Sequence, residues 1–205
     1  MKKKIWDLYA PIYEKAMHAD RKVYTFMYDR ISVIVSGKEV LEIATGPGLI
    51  AKHVAGATER MISTDYSEGM IRQARKGTLP ANLTFEVADA TCLPYPDSSF
   101  DVVLIANALH VMPEPEKALR EIDRVLRPGG VLIAPNFVEH QTGLGSRIWS
   151  GILKLAGVTF EHQWTSQEYL NWLEEQGWSV TFSHEMLARI TLMYAECKRD
   201  GESLI

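Results

Sequence analysis

The residues best placed to do chemistry begin at a glycine turn. Gly46-Pro47-Gly48-Leu49-Ile50-Ala51 fits Gly-x-Gly-x-x-Gly/Ala between a strand-like and a helix-like segment. In such a turn the glycines let a cofactor approach the backbone, and the N-terminus of the following helix faces it. Asp65 follows about 20 residues on, where a carboxylate accepts hydrogen bonds from ribose hydroxyls. A tight strand-to-helix connection without a ligand is the competing reading of the turn. Two neighbours narrow the chemistry. Glu42 stands just ahead of the glycines, where it would repel a pyrophosphate and favour a cofactor carrying an ammonium and a sulfonium. Pro47 removes a backbone donor that a phosphate cradle would use. Glu42 as a polar strand end and Asp65 as a helix N-cap remain the plainer alternatives.

His110 is the candidate base, in Asn107-Ala108-Leu109-His110-Val111 just after an apolar strand-like run. A ligand in an open α/β sheet binds outside the carboxyl ends of the strands, so this position faces a reaction site. A histidine that only orients a partner, or caps a helix, would occupy the same place.

These residues need elements to hold them. Residues 39–44, 61–64, 83–87, 100–106 and 131–134 read as strands, and 49–55, 67–76 and 115–126 as helices. Ser67 is a plausible N-cap, and Pro128-Gly129-Gly130 is expected to close the third helix. Strands alternating with helices predict an α/β fold, a doubly wound, mostly parallel sheet with helices on both faces. Residues 3–35 read as helix with a break near Pro11. After Asn136 the rhythm loosens into helices at 144–156 and 166–176 and strand-like runs at 178–182 and 190–197, the last expected antiparallel.

Composition bounds the partners. The 205 residues suit one domain, with 46% hydrophobic and 23% charged residues. A net charge of -4 gives no attraction to polyphosphate, which argues against nucleic acid. Cys92 and Cys197 are the two cysteines, too few and too far apart for a disulfide framework or a cysteine zinc site, and they suit a reducing cytoplasm. The six histidines lack metal-ligand spacing. Lys2, Lys3 and Lys4 precede Ile5, Trp6 and Leu8, a composition compatible with weak contact to a membrane surface.

Val40-Leu41-Glu42-Ile43-Ala44-Thr45-Gly46-Pro47-Gly48, Asp65, Ala88-Asp89-Ala90 with Leu93-Pro94-Tyr95-Pro96-Asp97, Phe100-Asp101-Val102-Val103 and Arg124-Val125-Leu126-Arg127-Pro128-Gly129-Gly130 occur in that order. Together they resemble the class I S-adenosylmethionine-dependent methyltransferases, in particular the small bacterial group that includes ubiquinone and menaquinone methyltransferases. The resemblance spans roughly residues 8–138. It implies a Rossmann-like methyltransferase fold, with S-adenosyl-L-methionine as cofactor and a small, apolar or aromatic molecule (quinone, lipid or natural product) as acceptor. It divides the chain into a helical lid at 1–35, a cofactor core at 36–136 and acceptor-side helices and strands at 137–205.

The resemblance also assigns contacts. Glu42 and Ala44 lie toward the methionine part, Gly46 and Gly48 let the cofactor approach the backbone, and Asn107 is a further cofactor contact. Asp65 and Tyr66 lie by the ribose, and Met70, Asp89 and Ala90 by the adenine, with Asp89 receiving the exocyclic amine. Tyr9 and Tyr13 resemble the lid tyrosine that covers the cofactor. Asp89 as a loop acid bonded to its own backbone, and Tyr9 and Tyr13 as plain packing, are the competing readings. Ala44 departs from the family's usual glycine, and a positive φ is disfavoured there. The aromatics Trp149, Phe160, Trp164, Tyr169 and Trp172 either line an acceptor pocket or form ordinary core. A nicotinamide-dependent oxidoreductase and a noncatalytic cofactor-binding module are the rival functions, and Glu42 counts against the first.

Overall fold

Apolar runs of five or six residues, flanked by turn-forming residues, make the central strands: β1 Glu39–Ile43, β2 Arg60–Asp65, β3 Leu83–Val87 and β4 Phe100–Ile105. The computed structural model describes residues 21–138, 161–187 and 190–199. Helix α1 covers Arg21–Ile34, α2 Leu49–Val54, α3 Glu68–Ala74, α4 Pro115–Val125 and α5 Ser166–Glu175. Strands β5 Leu126–Ile133, β6 Asn136–Val138, β7 Trp178–Met186 and β8 Thr191–Arg199 complete the eight-stranded sheet.

The strand order is β3-β2-β1-β4-β5-β8-β6, with β7 pairing β8. β1 to β5 pair in parallel, and β8 is antiparallel to β5, β6 and β7. The order reverses between β1 and β4, and such sheets bind ligands outside the carboxyl ends of the strands at this point.

Period-two alternation divides the core. Leu41, Ile43, Val103 and Ile105 face the layer of α4 and α5, with Leu119, Ile122, Tyr169, Leu173 and Trp178. Val40, Val102 and Leu104 face α1, α2 and α3, with Met27, Ile31, Ile50, Val54 and Ile71. Strand alternation puts Glu42 on this second face, a carboxylate at an apolar position. α1, within the segment read as a lid, buries Met27 and Ile31 against that layer. The Arg30 guanidinium meets Glu196 of β8 through two hydrogen bonds of 2.6 and 2.8 Å.

One expectation fails. Pro128-Gly129-Gly130 does not close α4: the helix ends at Val125, and Leu126 already pairs with Phe100. The next partners are Val102 and Val131, so the residues between bulge out of β5. The glycines serve that bulge. Gly129 has φ 76°, and a Cβ on Gly130 would lie 2.8 Å from the Arg127 carbonyl. β6 and the 3-10 turn Leu109–Val111 are additions the sequence pattern did not announce.

Candidate cofactor and acceptor site

The turn after β1 is held from below and from the side. Glu42 is 1% exposed, and the Thr45 hydroxyl donates to its Oε2 at 2.5 Å. Burial pushes the Glu42 carboxyl up to about 7, against the hydrogen bond from Thr45, and the charge of Asp65 adds to the rise. Asp65 is the clasp. Its Oδ2 accepts the Gly46 N–H at 2.9 Å and its Oδ1 the Ser67 N–H at 2.8 Å, tying the glycine turn to the start of α3. Asp65 is not the helix cap: Ser67 is, and its hydroxyl accepts the Met70 N–H.

The turn needs unusual backbone. Ala44, Gly46 and Gly48 have φ of 56°, 58° and 79°. The disfavoured conformation at Ala44 is therefore adopted, because the chain must reverse there whichever residue occupies the position. Gly48 is required by packing as well. A Cβ there would stand 2.7 Å from the Phe85 ring, so its absence lets the turn lie against β3.

A cleft lies over the carboxyl ends of β1 and β4. It gathers Ala44, Gly46, Asp65, Tyr66, Met70, Ala90 and Asn107 from the predicted contacts, together with Ile43, Val111 and Met112. Glu42 and Gly48 lie in the turn's support rather than in the lining. Asp89 is exposed between the lining residues Ala88 and Ala90, and its Oδ1 accepts the N–H and hydroxyl of Thr91 at 2.9 and 2.7 Å. Asn107, at φ 53°, has an Oδ1 that is buried without a hydrogen-bond partner. Tyr9 and Tyr13 lie outside the described residues.

His110 stands behind the cleft wall, 3% exposed, in the 3-10 turn whose neighbours Ala108, Val111 and Met112 line the cleft. Its Nδ1 is 2.8 Å from the Asn136 Oδ1. Burial pushes the imidazole down to about 4, with the Asn136 hydrogen bond acting against that shift and His162 adding to it. The His110 carbonyl accepts the N–H groups of Glu161 and His162 at 3.0 and 3.1 Å, which moors the chain leading into α5. Thr165 and Glu168 cap that helix reciprocally. His162 stacks on Trp164 at 4.9 Å and Trp164 on Trp172 at 4.7 Å. Tyr169 is fully buried and donates to the Ala134 carbonyl, so it is core. Trp149 and Phe160 lie outside the described residues.

The family described as a methyltransferase domain matches residues 41–134. A demethylmenaquinone methyltransferase of Renibacterium salmoninarum is 30% identical over 71% of this chain and 68% of its own length. The ubiquinone/menaquinone biosynthesis C-methyltransferase UbiE of Pseudomonas entomophila is 32% identical over 80% of this chain and 68% of its own. The chain belongs to the S-adenosylmethionine-dependent methyltransferase family that contains these enzymes. The fold agrees: a Haloferax volcanii chain solved in complex with the Trm112 methyltransferase activator has a TM-score of 0.82 at 19% identity, covering 97% of both chains.

The protein is thus a methyltransferase with S-adenosylmethionine as methyl donor. The cleft suits that donor. Its lining is apolar with an acid at one side, a second acid lies beneath the turn, and the partnerless Asn107 Oδ1 is an acceptor that an ammonium would satisfy. Among the described residues no cationic side chain lines it, which does not suit a pyrophosphate. Among the described residues there is no metal-ligating cluster and no helix long and apolar enough to cross a membrane.

Sequence reasoning missed Asn136, Thr45 and Tyr28. Tyr28 stacks on His53 at 3.9 Å, and burial, with the charge of Glu42 adding to it, pushes its phenol up. Asn136 alone had a signal, an amide between Pro135 and the apolar Phe137-Val138.

Proposed function

We propose that the enzyme methylates a small aromatic, quinone-like acceptor, which enters beside Val111 and Met112 toward the His110 side of the cleft. The observation that supports this reading is the joint between His110 and the segment 161–164, where a buried imidazole behind the cleft-lining residues Ala108, Val111 and Met112 is moored to a stack of aromatic rings. Identity with quinone-biosynthesis methyltransferases supports the acceptor class.

Asp65 and Tyr66 hold the ribose, Met70, Asp89 and Ala90 border the adenine, and Glu42, Ala44, Gly46, Gly48 and Asn107 serve the methionine end. Tyr9 and Tyr13 cover the cofactor. The bound donor supplies an electrophilic methyl on a sulfonium. What remains for the protein is to align the acceptor and exclude water, and to take a proton where the acceptor arrives protonated, which His110 does. An exposed Cys92 thiol and a buried Cys197 thiol fit a cytoplasmic setting. A weak membrane contact through Lys2–Lys4 would bring the enzyme to an apolar acceptor.

The test is labelled-methyl transfer from S-adenosylmethionine to short-chain hydroquinones, against phenols, amines and lipids. Turnover on hydroquinones is expected. Transfer confined to amines or lipids overturns the acceptor class, and calorimetry showing NAD bound in preference to S-adenosylhomocysteine overturns the cofactor assignment.

A further inference from the structure

Asn136 is fully buried at the start of β6, in register with Met193 of β8. An amide in such a layer is costly unless both its ends are bonded. Its Nδ2 donates to the Phe137 carbonyl at 3.3 Å, which turns Oδ1 toward His110 Nδ1 at 2.8 Å. The strand end that carries it is fixed from two directions: Ala134 N–H donates to the Ala195 carbonyl, and Asn107 N–H to the Pro135 carbonyl, both at 2.8 Å. The second bond joins this strand end to the cleft-lining loop that leads into His110.

An amide oxygen accepts and cannot donate, so the proton facing it sits on Nδ1. We propose that Asn136 is the positioning residue of the acceptor side, fixing His110 in the Nδ1–H tautomer so that Nε2 is the nitrogen that receives the acceptor's proton. This rests on the reading that His110 serves the acceptor. In the step, Nε2 takes the proton as the acceptor's electron pair bonds to the methyl carbon and the pair of the breaking carbon–sulfur bond stays on the departing thioether.

The choice of amide over carboxylate has a consequence. Asn136 brings no charge, and among the described residues His162 acts on the ring with a charge that would oppose that of His110. The imidazole is therefore neutral through the physiological range. An aspartate at the same place would stabilise the imidazolium and raise the ring's pKa by about one to three units.

The experiment is nitrogen NMR of the His110 ring against pH, on the full chain with S-adenosylhomocysteine added, for wild type, Asn136→Asp and Asn136→Leu. Methyl transfer to a short-chain hydroquinone is measured alongside. Wild type is expected to hold the Nδ1–H tautomer. Asn136→Asp, nearly isosteric, is expected to keep that tautomer, with its imidazolium and the acid limb of kcat/KM moved up together. Asn136→Leu is expected to populate the Nε2–H tautomer and lose about tenfold to hundredfold in kcat, with cofactor affinity unchanged. A wild-type ring in the Nε2–H form, or an Asp variant whose titration does not move, overturns the proposal. A tautomer change that leaves turnover untouched overturns instead the reading of His110 on which it rests.

Discussion

Burial acts on the two sides of the cleft with opposite sign. Beneath the cofactor turn it pushes the Glu42 carboxyl up to about 7, and behind the acceptor wall it pushes the His110 imidazole down to about 4. Desolvation penalises the charged form in each case. The consequences at neutral pH differ. Glu42 stands near its midpoint, so a cationic ligand can draw out its charge. His110 stands far above its own, so the ring is neutral with or without a ligand. The neighbours follow suit: Asp65 adds a second carboxylate on the first side, while Asn136 contributes an uncharged amide on the second. A charge that answers to the ligand suits the binding of a sulfonium, whereas the burial that keeps His110 neutral also lowers its proton affinity.

The strongest challenge to that contrast is removal of the imidazole. His110→Ala is expected to lower turnover by about 10²–10⁴-fold at neutral pH, with cofactor affinity unchanged. The loss should shrink as pH rises toward the acceptor's own pKa, because an ionised acceptor needs no base. A small, pH-independent loss in the pH–rate profile would reduce His110 to an orienting group and leave the acceptor side without a proton acceptor.

On the cofactor side the largest effect belongs to Asp65. Its carboxylate accepts the N–H groups of Gly46 and Ser67, so Asp65→Ala loosens the turn and, on the proposed reading, removes the ribose acceptor with it. The expected loss is about 1–3 kcal/mol in S-adenosylhomocysteine affinity by calorimetry. Unchanged affinity in a folded variant would leave Asp65 a structural clasp alone.

Glu42 sharpens the comparison through pH. Its carboxyl is raised from 4.5 to about 7 in the folded chain, so the folded state holds a proton that the unfolded state has released. The stability this gives is present below pH 4.5 and is lost as pH rises through 7, about 3 kcal/mol in all. Glu42→Gln removes the dependence, so in ligand-free denaturation the variant should gain on wild type between pH 5 and about 8. Binding S-adenosylmethionine to wild type near pH 6.5 should release protons, seen as a dependence of calorimetric heat on the buffer's ionisation enthalpy. Proton uptake, or no exchange, would mean that Glu42 does not answer to the cation.

The two sides were not equally legible in the sequence. Glu42, the glycines and Asp65 belong to one βαβ unit, and a close backbone turn demands particular residue types at short, fixed spacing. The inner strands were legible too, because strands buried on both faces are apolar runs. The proposed acceptor side draws on 110, 136 and 161–172, which meet through the register of β6 and β8 and the mooring of residues 161 and 162 on the His110 carbonyl. No local pattern encodes that register. The three-residue β6 is too short to show alternation, and the bulge in β5 uses the same Pro-Gly-Gly that would stop a helix. Tyr28 reaches the neighbourhood of Glu42 only because α1 docks on the sheet.

The smallest expected effect concerns how the cofactor side holds its shape. Ala44 sits at φ 56° at the end of β1, with its side chain on the cleft, in a conformation that an alanine adopts at a cost of roughly 1–2 kcal/mol. Glycine relieves that cost but gives back about 0.4–1 kcal/mol through the freer unfolded chain. The net for Ala44→Gly is stabilisation by about 0–1.6 kcal/mol, a rise of up to about 3–6 °C in Tm. The same substitution removes a methyl group from the cleft wall, so S-adenosylhomocysteine affinity reports separately on whether the wall or the backbone matters to the ligand. Higher Tm with unchanged affinity would show that the turn is held in shape by Asp65 and Thr45 whatever occupies position 44. Higher Tm with weaker binding would show that the Ala44 methyl packs on the cofactor. A fall in Tm would mean that the alanine is not strained, and that the turn's positive φ is set by the rest of the clasp at no local cost.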